Sequence, residues 1–167
     1  MADSAASQSA PQMIAAVDGS ASSYQAVAWA AVEAALHRRE LHILTSMALP
    51  GGFGPGTALS ESDMECKRRD GERIVTEASR IARAAVLGAE LVLTTEVSFD
   101  LPVPTLIARS EQVKMLVIGS SRGLSAVHRG PLSSVSTAVT RHAHCPVVVI
   151  HSRSSTTSPA SSTGARL

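Results

Sequence analysis

Five short apolar runs separated by helix-length segments constrain this chain more than any other feature. The runs fall at residues 13–17, 41–47, 90–97, 114–118 and 146–150. Between them lie segments with helical patterning at 22–38, 62–87, 104–111 and 132–142. In the first, Trp29, Val32 and Leu36 recur with Ala and Val at helical spacing, and Ser22 or Ser23 stands where an N-cap is needed. In the second, Ile74, Ala78, Ile81 and Ala85 form one stripe, Arg and Glu cover the other face, and Gly88 offers a C-cap. Strands that alternate with helices predict an α/β fold: a five-stranded, mainly parallel sheet sandwiched by four helices. In such sheets ligands bind beyond the carboxyl ends of the strands, where the strand order reverses. The informative residues are therefore those that follow strands, and two segments stand out, 18–22 and 119–131.

Composition narrows the function classes. Aromatics are 2% of the 167 residues, so the core must be built from Ala, Val, Leu and Ile, and stacking platforms for single-stranded nucleic acid are lacking. A net charge of +1 gives no basic excess for duplex binding. The run Lys67, Arg68, Arg69 is flanked by acids and reads as a solvated helix face. Cys66 and Cys145 form neither a C-x-x-C nor a zinc spacing. His142 and His144 sit at a helix C-terminus, where a cation complements the dipole, and no metal site is expected from them. Residues 1–11 lack the pattern of a signal peptide, and no apolar stretch reaches the roughly 18 residues of a membrane span. Residues 1–11 and 153–167 are small and polar and are expected to be disordered tails around a domain at 12–152. The expectation is a cytoplasmic domain with no nucleic-acid or membrane partner.

The loop after the fourth run is rich in Gly and Ser and enters a helix at Ser133, Ser134 and Ser136. Small residues let a ligand approach the backbone, and the first turn of a helix offers unpaired N–H groups to a phosphate. No Asp or Glu follows Glu111, while Arg122, Arg129 and Arg141 add positive charge. The segment is either an anion site or an ordinary serine-capped helix behind a loop. Gly119-Ser120-Ser121-Arg122-Gly123 matches a nucleophile elbow, but the acid that should follow Ser121 is absent. Neither a Walker A loop nor a G-x-G-x-x-G fingerprint is present. Asp18, at the turn after the first run, is either an Asx-turn residue or a ligand contact.

Taken together, these residues resemble the universal stress protein family. The carriers are Ser120-Ser121-Arg122-Gly123, nine residues, then Ser133-Ser134-Val135-Ser136. They are joined by the closing His142-Ala143-His144-Cys145-Pro146-Val147-Val148-Val149-Ile150 and the opening Ala15-Ala16-Val17-Asp18-Gly19-Ser20. The family signature has Gly where this chain has Ser120 and Ser133. The resemblance implies a Rossmann-like sheet of the adenine nucleotide alpha-hydrolase kind and a homodimer through the last strand. It also implies ATP binding, with Mg as a possible companion. Asp18 would meet the adenine with Ala16 and Val17 beside it, and Ser46 would lie near the base. Gly119, Ser120 and Gly123 would line ribose and phosphates. Ser133, Ser134, Val135 and Ser136 would hold phosphates at the helix start. No catalytic residue is apparent, so the nucleotide is expected to act as a regulatory ligand with at most slow turnover. The alternative is the same fold without nucleotide, closed by Ser120 and Ser133 and acting through protein contacts.

Overall fold

A computed structural model describes residues 12–48, 60–120 and 134–152. The expected tails, the Gly/Pro-rich stretch at 50–56 and the loop carrying Gly123, Arg122, Arg129 and Ser133 lie outside the described residues. The elements are β1 (Met13–Ala16), α1 (Ala21–Leu36), β2 (Leu41–Ser46), α2 (Glu61–Ala85) and β3 (Leu93–Ser98). They continue with α3 (Pro102–Ser110), β4 (Met115–Ser120), α4 (Ser134–His142) and β5 (Val147–His151). All strand pairs are parallel, in the order β3-β2-β1-β4-β5. The chain winds outward from β1 to β3, then returns to the other side of β1 for β4 and β5. The reversal therefore falls between β1 and β4.

Strand alternation divides the core into two layers. Met13, Ala15, Val17, Leu41, Ile43 and Val117 face α1 and α2, where Ala26, Ala30, Ala34, Ile74, Ala78 and Ala82 meet them. Ile14, Leu44, Leu116 and Ile118 face the other way, against Leu106 of α3 and Val139 of α4. The sheet is a two-sided core, as its near-continuous apolar runs require.

In α1, helical spacing left the inward face open. Its core line is the alanine row with Val27, whereas Trp29, Val32 and Leu36 are exposed at 37%, 41% and 73%. The reason is distance. A Cβ added at Gly119 would stand 2.5 Å from Ser22 C and 2.6 Å from Ser22 O, and as close to the Ser23 nitrogen. The first turn of α1 thus lies directly on the end of β4, and only small residues fit beneath the helix. The N-cap is Ser20 rather than Ser22 or Ser23: its Oγ accepts from Ser23 N–H at 3.2 Å. α2 opens on a capping box of Ser60 and Asp63. Its C-cap is Val86, not Gly88, and Leu87 already holds a left-handed φ of 48°. Two cations of the basic run are paired within α2, Arg68 and Arg69 with Glu65 and Arg68 also with Glu72. Cys145 is half-buried against the second layer, and burial pushes its thiol pKa up.

Candidate functional site

The turn after β1 is built by hydrogen bonds among its own residues. Asp18 Oδ1 accepts from Ser20 N–H at 2.9 Å, forming an Asx-turn. Ser23 Oγ donates to Ser20 O at 2.9 Å and accepts from Asp18 N–H at 3.3 Å. Gly19 takes a φ of 85° to let the chain reverse. Burial opposes the Asp18 charge, but hydrogen bonds from Ser20 and Ser23 outweigh it and hold the carboxyl below the usual aspartate value. Asp18 is therefore an anion at the rim of the sheet, and its role as an Asx-turn residue is the one the hydrogen bonds show.

Ser46 ends β2 and donates through Oγ to Asp100 O at 2.6 Å. Asp100 N–H in turn donates to Ser98 Oγ at 3.1 Å. This turn leads into α3, whose first residues are Pro102, Val103 and Pro104; prolines there cost no helical hydrogen bond. Thr105 Oγ1 donates back to Leu101 O at 2.8 Å.

These turns surround a cleft of about 210 Å³ at the strand-order reversal. Ala16, Val17, Asp18 and Ser23 come from β1 and the turn into α1; Leu44 and Ser46 come from β2. Pro102, Thr105 and Leu106 form the α3 wall, Ile118 and Gly119 close the end of β4, and Val135 and Ser136 open α4. The floor is apolar and suits a flat ring, while carboxylate and hydroxyl oxygens stand at the margin. Of the residues singled out in sequence, Ala16, Val17, Asp18, Ser46, Gly119, Val135 and Ser136 share this cleft. Ser120 is buried at the end of β4, in register with His151, and is not among the lining residues. Ser134 is exposed at the start of α4, also off the lining. Gly123 and Ser133 lie outside the described residues. Sequence reasoning missed Ser23, Leu44, Ile118 and the α3 wall. Leu44 and Ile118 were accessible through period-two alternation from Ser46 and Ser120, whereas nothing local announces how α3 sits over the sheet.

Among the described residues, no group of three His, Cys, Asp or Glu side chains could hold a metal ion. No helix among them is long and apolar enough to cross a membrane.

A five-stranded parallel sheet between helix pairs, with its cleft at the reversal point, defines a Rossmann-like α/β domain. A sequence profile of the Universal stress protein family matches residues 11–151, and the chain belongs to that family. It is 38% identical over 138 residues to universal stress protein Rv2005c of Mycobacterium tuberculosis, covering 81% of this chain and 46% of that protein. The chain thus spans about half the length of the curated relatives it matches. Among solved structures, a universal stress protein in complex with cAMP shares 27% identity at a TM-score of 0.66, covering 87% of this chain and all of that one. The universal stress protein of Archaeoglobus fulgidus in complex with dAMP shares 26% identity at a TM-score of 0.56, covering 84% and 97%.

Proposed function

We propose that the cleft binds an adenine nucleotide, ATP or a smaller relative, as a regulatory ligand. The observation that carries this reading is convergence. Residues chosen in sequence from four separate segments line one cavity at the strand-order reversal. Two relatives of similar fold bind cAMP and dAMP, which supports an adenine ligand over other flat rings. Asp18 would accept from the exocyclic amine, and the apolar floor of Ala16, Val17, Leu44 and Ile118 would take the ring. Phosphates would lie toward Gly119 and the first turn of α4, where N–H groups and the helix dipole favour negative charge. Gly123, Ser133 and Ser134 complete the phosphate side in this reading, with Ser120 behind them and Mg as an optional companion of ATP. The domain would be cytoplasmic and would signal occupancy through its surface, with at most slow hydrolysis.

A homodimer through β5 belongs to the same reading. β5 is an edge strand whose Val147, Val148, Val149 and Ile150 are each only half-buried, and pairing with a second copy would cover them.

Isothermal titration of the full chain with ATP, AMP and cAMP tests the ligand. Saturable heat is expected for at least one of them, and Asp18→Ala should weaken it by about tenfold or more, the worth of a hydrogen bond to a charged group. Absence of both heat and thermal shift for all three sinks the assignment and favours the nucleotide-free alternative. Sedimentation equilibrium tests the dimer.

A further inference from the structure

α3 supplies one wall of the cleft yet has little of its own to hold it in place. It is nine residues long, and its N-cap Leu101 makes no side-chain cap; helices this short depend on tertiary anchors. Leu106 anchors it in the core, and Ser110 Oγ accepts from His144 N–H at 2.8 Å. The third anchor is an ion pair on the open part of the sheet. Arg109 Nη2 donates to both Glu96 oxygens, at 2.9 and 3.0 Å. Glu96 also meets His42 Nε2 at 3.1 Å, while His42 Nδ1 lies 2.8 Å from Thr94 Oγ1. Thr94 Oγ1 reaches Glu40 at 3.4 Å. His42 is only 9% exposed and lies on the same face of β2 as Leu44 and Ser46, both in the cleft. Arg109 lies one turn beyond Thr105 and Leu106, also in the cleft. A continuous chain of contacts therefore runs from the β2 floor, through Glu96 of β3, to the α3 wall.

We propose that Arg109, Glu96 and His42 are positioning residues for the ligand cleft: they fix the α3 wall over β2 without touching the ligand. The role rests on the reading of the cleft as an adenine-nucleotide site. His42 orients the Glu96 carboxylate, and Glu96 draws Arg109 and α3 down. Because one guanidinium nitrogen meets both oxygens, an ammonium can replace it.

A double-mutant cycle on the full chain tests this, with cAMP as the titrant. Glu96→Gln and Arg109→Gln should each weaken binding about fivefold, the scale of a partly exposed ion pair. The double variant should lose no more than either single one, and Arg109→Lys should return to within about twofold of the wild type. In the unliganded protein, Arg109→Gln should raise amide hydrogen exchange in α3 and leave β1 and β4 unchanged. Multiplying losses, unchanged affinity, or no recovery with Lys overturns the positioning role. Unchanged exchange in α3 overturns the clamp itself, whether or not cAMP binds. If the wild type fails to bind cAMP, ATP or AMP, the ligand reading falls and the positioning role falls with it, while the exchange result still decides whether the clamp holds α3.

Discussion

Replacing Gly119 by Ala tests the packing logic of the domain at its tightest point. The new methyl would stand 2.5 Å from Ser22 C and 2.6 Å from Ser22 O. These are backbone atoms of the first turn of α1, so no side-chain rotation relieves the clash. Either α1 lifts from β4, or β4 moves and disturbs its pairing with β1. Overpacking a core by one methylene costs about 1–3 kcal/mol when side chains can adjust. With a rigid neighbour the upper end applies, about 3 kcal/mol. For a domain of this size that lowers Tm by about 6–12 °C. Urea unfolding of Gly119→Ala against the wild type reads it directly. Gly71→Ala is the internal comparison. There the methyl would meet Val97 Cγ1 at 2.5 Å and Met47 Cγ at 3.0 Å, which are side-chain ends that can turn. Alanine also gains about 1 kcal/mol of helix propensity inside α2, so Gly71→Ala should be the milder change. The clash falls on the Ser22–Ser23 turn, and Ser23 and Gly119 both line the cleft, so on the proposed reading the folded variant should also bind its ligand more weakly. If it is as stable as the wild type but cannot bind, Gly119 serves the ligand rather than the helix, and the reasoning fails.

Three further outcomes follow from single groups. Thr45 Oγ1 is fully buried with no hydrogen-bond partner among the described residues. Thr45→Val should raise stability by about 1 kcal/mol in denaturant unfolding, since it removes an unsatisfied polar group at constant shape. Leu87 holds a φ of 48° while 94% exposed. Leu87→Gly should raise stability by about 0.5–1 kcal/mol, because it relieves left-handed strain without losing burial; a lower Tm would refute it. The folded-state pKa of Asp18 lies below its unfolded value, so its contribution is present at neutral pH and is lost as pH falls through the folded value. Asp18→Asn should therefore flatten the stability–pH curve below about pH 4, measured by thermal melts in acid.

The element order and the cleft's position were legible in sequence because both depend on periodicities a chain cannot hide. Strand runs and turn residues pointed to the segments at 18–22 and 119–131, the family resemblance then singled out Ala16, Val17, Asp18, Ser46 and Gly119, and all five line the cavity. Depth of burial on α1 was not legible. Helical spacing alone did not separate Trp29, Val32 and Leu36 from the alanines, whereas the close approach at Gly119 puts Ala26, Ala30 and Ala34, with Val27, on the inward face. Helix ends shifted for local reasons. Ser20, Ser22 and Ser23 are chemically alike, and only backbone geometry selects Ser20 as the cap. The α3 wall depends on how a nine-residue helix crosses the sheet, and the Arg109–Glu96 contact that ties it down joins residues 13 positions apart, beyond the reach of any local pattern.

The turn from Asp18 to Ser23 serves two masters. Its hydroxyls and carboxylate start α1, and two of its residues, Asp18 and Ser23, also line the cavity. Retuning that rim for a new ligand would unravel the helix that sits on β4. On the proposed reading of the cleft, diversification of ligand choice is thus channelled toward the opposite wall, where Pro102, Thr105 and Val135 can vary without dismantling the scaffold.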